Sequence, residues 1–583
     1  MRMTNKIMRN NSAYNINQNK ILQDKLTNQM TTQSKITRPS DDPVVAIRAL
    51  RLRSNVTQIT QYNEKNAEDA KQWLDLTADA MTTVDKVLTD LYSQATTSSS
   101  KYETADDLKI LLTQMKQLTA EFYSCANVDY AGRYVFSGYR TDLPVTFTAE
   151  DIRDMEVHPV SFNIDESYGF ADISKVTYTD YNQVENRGIN LTDDETSYEQ
   201  TVKNHTLYRF RISYNDLDSL GTELKDADGN PLKDSGGNIL SAGRKLTFTM
   251  PDGTKVTATA TKDNGDTPPV AILDTDVDGK PVITTTAVDK DGNAVAAADV
   301  PEVKEFSNRE EAYKAIADGF SGIAYVPASG ELVFSRDFYE TNFSEAEFNK
   351  SKTGFQVNYD KSTWKNGDIN PVHYFRCTET KNMAAPDEKP DLRKTAYNSQ
   401  REEGRDQDIY YDVGYNQQIQ VNTRADEVFT HDVQRDMDDF EYYHRQLDEI
   451  EKLQANLDKE LKECAEGTPQ YEDLTKRIEG AKKAWTYIRD NIHTRFENQI
   501  TKCQKYMDDA RVAMTDNATR GSRLELVKSR LTNQQATFKE LQQDNEGIDI
   551  TEVAVELTSA DLTYNAALMA TGKIMQTNLM NYI

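Results

Sequence analysis

Apolar residues recur with a helical period at both ends of the chain and with a period of two in the long stretch between them. Near the N-terminus Ile7, Tyr14 and Ile21 stand seven apart, and Leu22, Leu26 and Met30 continue the stripe through a segment otherwise rich in Asn, Gln and Thr. A helix this polar is not stable alone. The sequence RPSDDP at 38–43 interrupts it, because each proline disfavours helical geometry in the residue before it, while Asp42 can cap a new helix with Pro43 in its first position.

The helix that follows is the most periodic element of the chain. Leu52, Ile59, Asn66, Trp73, Ala80 and Val87 hold one heptad position, and Val56, Asn63, Ala70, Thr77, Val84 and Leu91 hold the other. The pattern reads equally as a coiled-coil seam or as a bundle core. Beyond TTSSS at 96–100, Leu108, Leu111, Met115, Leu118, Phe122 and Cys125 predict a third helix returning antiparallel, and YAGRYVFSG at 130–138 then predicts a small β-hairpin.

From about 145 to 428 strand and turn signals dominate. Residues 246–250 pair by pattern with 256–260, residues 323–326 with 331–334, and the 409–413 stretch with 419–422. Turn-rich clusters at 226–231, 234–238 and 289–293 punctuate the region. Helical spacing returns at about 430 with Met437, Phe440, Leu447, Ile450, Leu457 and Leu461, and again from Leu474 through Cys503. After Leu524, Val527, Leu531, Phe538 and Leu541 comes a break at DNEGI (544–548). A last amphipathic helix then carries Val553, Leu557, Ala560, Tyr564, Ala567, Leu568, Ile574 and Met575 and is predicted to reach Ile583. Chain ends fray unless something holds them, so the first helix is the expected anchor of the last.

The predicted fold class is mainly α at both ends, a long antiparallel helical bundle, with an inserted β-rich region of one or two domains. The expected division is 1–42 with 543–583 as a terminal-helix assembly domain, 43–145 with 430–542 as a helical rod, and 146–429 as the outer insert. At 583 residues more than one core is expected. A hydrophobic share of 37% and a mean hydropathy of -0.74 suit long elements that each bury one stripe.

A net charge of -27 argues against nucleic acid as a partner. The sign differs between the two ends. Residues 1–55 carry ten Lys or Arg against Asp24, Asp41 and Asp42, whereas residues 541–583 carry six carboxylates against Lys573 alone. That opposition favours and steers their association.

The four cysteines, Cys125, Cys377, Cys464 and Cys503, show no CxxC spacing and read as free thiols. No cleaved secretory signal and no apolar run of membrane-spanning length is recognisable. None of the six histidines sits in a metal or catalytic spacing, and neither GxSxG nor a phosphate-binding loop is present, so no enzyme activity and no cofactor are expected. Asp274, Asp276 and Asp278, followed by Gly279, match the opening of a calcium loop. Position twelve would be Thr285, however, and Pro281 lies inside the loop, so an acidic turn between strands is the preferred reading.

Several of these stretches also resemble a known family. RPSDDPVVAIRALRLR at 38–53, AEDAKQWLD at 67–75 and NVDYAGRYVFSG at 127–138 resemble the N-terminal part of the flagellar hook-filament junction proteins, the hook-associated protein 3 family, relatives of flagellin. GSRLELVKSRL at 521–531 and YNAALMATGKIMQTNL at 564–579 resemble the other end, and GDINPVHYFRC at 367–377 with VNTRADEVF at 421–429 resemble longer members. The resemblance implies a structural subunit that self-assembles into a ring through paired terminal helices, between hook-associated protein 1 and flagellin. It also implies delivery by a flagellar export chaperone through the flagellum's own channel to the cell exterior. The assembly residues it points to are Ile7, Tyr14, Ile21, Arg38, Asp41, Asp42, Leu557, Tyr564, Leu568 and Ile574. A flagellin-type filament subunit, or an adhesin whose β-rich insert binds a surface ligand, is the alternative.

Overall fold

The structure, a computed structural model, describes residues 5–99, 104–185, 198–224, 230–234, 238–263, 271–276, 280–351, 354–383, 392–398 and 407–576. Seven long helices carry the two ends of the chain: α1 (Asn5–Thr32), α2 (Pro43–Gln61), α3 (Ala67–Ser98), α4 (Ala105–Ser124), α5 (Asp432–Glu463), α6 (Pro469–Glu546) and α7 (Ile550–Gln576). The strands lie between α4 and α5, so the fold is mainly α at both ends with a β-rich insert. Asp278, parts of the turn clusters at 226–231 and 234–238, and the predicted continuation of α7 to Ile583 lie outside the described residues.

By internal contacts the chain forms two compact units. The first comprises residues 1–74, 410–421 and 519–583, and the second residues 75–409 and 422–518. Helices α3 and α6 contribute to both.

In the first unit α1 and α7 run antiparallel, since Gln23 donates to Asp561 while Lys35 N donates to Glu546 O at 2.7 Å. Asp42 caps α2 as its sequence predicts, its Oδ1 accepting from the N–H groups of Val44 (3.0 Å) and Val45 (3.1 Å), with Pro43 in the first turn. Asp42→Ala is expected to weaken this helix start by about 1 kcal/mol. Amide hydrogen exchange would report it as faster exchange confined to the first turn of α2, and unchanged protection there would exclude the cap.

Helix α2 passes into α3 through a π-helical turn at Tyr62–Asn66. That turn carries one more residue than an α-turn, which rotates the face that follows. Ala67 is therefore fully buried, and the predicted seam residue Asn66 turns instead to the backbone O of Asp412, 2.7 Å away. Asp412 belongs to the hairpin Tyr410–Gly414/Gln417–Gln420, which the period-two pattern predicted. Buried Asn63 faces Gln535 of α6, whose Nε2 donates to Thr60 (2.8 Å) and Glu64 (2.9 Å). Farther along, Lys528 pairs with Glu68, and Lys71 with Glu525 at 2.6 Å, so α2 and the start of α3 run antiparallel to the end of α6.

The second unit is built on two sheets. The larger has seven strands in the order Thr284–Val288, Lys255–Thr259, Lys245–Thr249, Phe355–Lys361, Val160–Tyr168, Arg376–Asn382 and Leu392–Tyr397, antiparallel throughout. The smaller runs Val303–Glu305, Ile323–Val326, Glu331–Phe334, Lys203–Arg211 and Ser174–Asp180, with its first pair parallel. Both contribute to one hydrophobic core that includes Ile164, Phe210, Phe248, Phe334, Phe355 and Tyr359. The turn between Ile323–Val326 and Glu331–Phe334 requires Gly330, which has φ +60° and whose absent Cβ would lie 1.8 Å from Tyr214 O.

Helices pack on this core through buried charge. Arg209, on the strand Lys203–Arg211, is 2% exposed; it pairs with Glu331, which is fully buried, and with Asp439 of α5. Arg309 pairs with the same two carboxylates, reaching Asp439 at 3.1 Å. Arg211 holds Asp436 at 2.7 Å and Asp432 at 2.8 Å, and Tyr506 of α6 donates to Asp436 at 2.9 Å.

Candidate assembly surface

Helix α1 meets α7 with its less apolar side. The partly or fully buried positions of α1 are Ser12, Ile16, Asn19, Gln23, Leu26 and Gln29, a face on which Leu26 alone is fully buried. Leu26 packs with Val553 and Ala560 of α7, with Ile548 and Leu557 at the edge. The larger apolar residues point away, Ile7, Tyr14 and Ile21 being 48%, 64% and 60% exposed. A helix that turns its apolar stripe to solvent while burying amides carries a surface still to be covered.

Helix α7 differs in burying apolar residues, Val553 and Ala560 with Leu557 and Tyr564 in part, yet it too leaves Ile550, Val555, Leu562, Leu568 and Met569 exposed. Ile574 belongs to α7, but its side chain lies outside the described residues. The break before α7 requires Gly547, whose Cβ would sit 2.5 Å from Gln543 O at the point where residue 547 bridges Ser34.

At the bend between α1 and α2, Asp41 Oδ2 accepts from the N–H groups of Arg38 (2.8 Å) and Thr37 (3.1 Å). The Arg38 N–H, helped by that of Thr37, holds the Asp41 carboxyl below its ordinary pKa. The Arg38 side chain is exposed. The bend is thus fixed by one aspartate and the helix start by the next.

The structure adds a surface on α2 outside the heptads that start at Leu52. Val44, Ile47 and Leu50 are all exposed on α2 beside Arg48 and Arg51. The alternation of apolar and basic residues in VVAIRALR at 44–51 is the signal that marks it.

Of the calcium candidates, Asp274 accepts from Lys262 Nζ at 2.7 Å. Asp276 Oδ1 accepts from Lys280 N at 2.8 Å, and the Asp276 N–H donates to Lys280 O at 2.9 Å. No group of three or more His, Cys, Asp or Glu side chains is arranged to hold a metal among the described residues. No helix there is long and apolar enough to cross a membrane.

Against known families, residues 3–141 match the bacterial flagellin N-terminal helical region. The chain is 29% identical over 119 residues to flagellar hook-associated protein 3 of Salmonella typhimurium, covering 20% of this chain and 37% of that protein. It is 30% identical over 115 residues to flagellar hook-associated protein 3 of Escherichia coli, covering 20% and 36%. The matched part therefore spans little more than a third of the length of these curated relatives. Among solved structures, FlgL of Xanthomonas campestris aligns over 84% of this chain and 99% of its own at 12% identity, with a TM-score of 0.24, too low to bear on the fold. Over residues 3–141 the chain is thus similar to the bacterial flagellin N-terminal helical region, and within a fifth of its length to flagellar hook-associated protein 3.

Proposed function

We propose that the chain is a structural subunit of the bacterial flagellum, joining hook to filament by self-assembly through α1 and α7. The observation that carries this reading is the outward apolar stripe of Ile7, Tyr14 and Ile21 on a helix whose inner seam is largely polar. In this reading residues 1–42 and 543–583 form the assembly part, with Arg38, Asp41 and Asp42 at its bend and Leu557, Tyr564, Leu568 and Ile574 on its second helix. Residues 43–145 with 430–542 form the rod, and 146–429 the outer part. The subunit contacts copies of itself, with hook-associated protein 1 on one side and flagellin on the other. It leaves the cell through the flagellar export route with the help of a chaperone. Similarity to hook-associated protein 3 of two bacteria supports the assignment.

The test is a strain of the source bacterium whose own copy carries Ile7→Asn, Tyr14→Asn and Ile21→Asn together. The expected outcome is hooks without filaments, with flagellin and the variant chain both recovered from the medium. Normal numbers of attached filaments would overturn the proposal.

A further inference from the structure

The charge opposition between the two ends of the chain is hardly used within it. Among the described residues, the one ion pair joining residues 1–55 to residues 541–576 is Arg53–Glu546, in which Arg53 Nε donates to both carboxylate oxygens at 2.9 and 3.0 Å. Arg48 and Arg51 of α2 are exposed and form no ion pair there, and the same holds for Glu552 and Glu556 of α7.

These four residues sit on two stripes of identical spacing. On α2 the exposed positions Val44, Ile47, Arg48 and Arg51 fall at i, i+3, i+4 and i+7; on α7 Glu552, Val555, Glu556 and Ser559 do the same. Each stripe has one apolar side chain near its centre, Ile47 on α2 and Val555 on α7, accompanied by two basic residues on α2 and two acidic ones on α7. Both are turned to solvent, so neither covers the other within a subunit.

We propose that the basic-apolar stripe of α2 docks on the acidic-apolar stripe of α7 from a second copy of this chain. The inference rests on the self-assembly reading above and adds to it which surfaces mate. The contact joins different patches on the two copies, so it repeats from copy to copy and closes into a ring or winds into a helix, whereas a two-fold contact would stop at a dimer. The apolar centres supply buried area, and the charges set register and encounter rate.

Disulfide trapping on the full chain tests it, in a Cys464→Ser background that removes the partly exposed native thiol. Ile47→Cys and Val555→Cys variants, mixed and oxidised at a concentration where the chain self-associates, are expected to give crosslinked dimers. Each variant alone gives few, and a chain carrying both cysteines gives a ladder. Arg48→Glu with Arg51→Glu is expected to lower the mixed yield roughly five- to thirtyfold at low salt. Placing Glu552→Arg with Glu556→Arg on the other partner restores it. Because the charged contact is exposed, salt screens it, and raising NaCl toward 1 M lowers the wild-type yield in the same direction.

Equal crosslinking by Ile47→Cys alone would overturn the proposal in favour of a two-fold contact. Self-association that proceeds without the mixed crosslink, or ignores the charge reversals, overturns it while leaving the assembly reading in place. Failure of the chain to self-associate at all, together with normal filaments on cells carrying the α1 triple variant, removes both.

Discussion

Arg209→Met is expected to cost about 3–5 kcal/mol of unfolding free energy, the largest effect of any single substitution argued for this chain. Arg209, Arg309 and Arg211 stand against Glu331, Asp439 and Asp436 in a space with little water, and removing one guanidinium leaves a carboxylate in excess there. Burial alone would raise the Asp439 pKa, but Arg209, Arg309 and Arg211 outweigh it and hold the carboxyl well below the ordinary range. A methionine fills similar volume, so the loss reports charge and not a cavity. Denaturant unfolding of the full chain measures it. The double variant Arg209→Met with Glu331→Met restores the balance and is expected to fall well short of the sum of the two single losses. Additive losses would show that the cluster does not act as a unit.

The second large effect is on stability in mild acid. Burial pushes the His373 pKa down to about 4, while its Nε2 lies 3.0 Å from Pro144 O, so the folded chain keeps this imidazole neutral. Unfolded, the group titrates near 6.5. The unfolded state therefore binds the extra proton first, and stability is lost as pH falls from about 6.5 toward 4, by roughly 3 kcal/mol for this residue. Buried carboxylates with raised pKa, Glu166, Glu305, Asp360 and Asp368, act in the opposite sense over part of this range. The measurement is thus the difference between the chain and its His373→Gln variant. The gap should narrow steadily from pH 7 to pH 4, and a gap independent of pH would contradict the burial of a neutral imidazole. Asp439 stabilises the fold above the unfolded carboxylate pKa near 4, and that contribution is lost as pH falls from there toward its depressed folded value, so the two effects separate on the pH axis.

Much of the architecture was legible because one stripe per helix and one face per strand is a local property. Trp73, Ala80, Val87, Ala70, Thr77, Val84 and Leu91 are all buried as the heptads predict. The strand pairs Lys245–Thr249/Lys255–Thr259 and Ile323–Val326/Glu331–Phe334 form across the turns that glycine marks. The cap at Asp42 follows from two adjacent residues.

Non-local features were not legible. Nothing in the seam announces the π-turn at 62–66, because a hairpin some 350 residues later engages it through Asn66. Asp432, Asp436 and Asp439 look like the solvated side of α5 until Arg209 and Arg211, more than 200 residues earlier in the chain, arrive beside them. The strand order of the seven-stranded sheet, in which Val160–Tyr168 lies between Phe355–Lys361 and Arg376–Asn382, likewise depends on long-range pairing.

The largely polar face that α1 turns to α7 governs how the ends of the chain respond to dilution. With Leu26 the one fully buried residue of α1 among those described, opening that helix exposes little apolar area, so the free energy of opening it in an isolated chain is small compared with that of the sheet core. Covering Ile7, Tyr14 and Ile21 with another copy adds a term that grows with the logarithm of the copy's concentration. The order of α1 and α7 is then set by mass action, low in a dilute solution of subunits and high where subunits are delivered one after another to the same place.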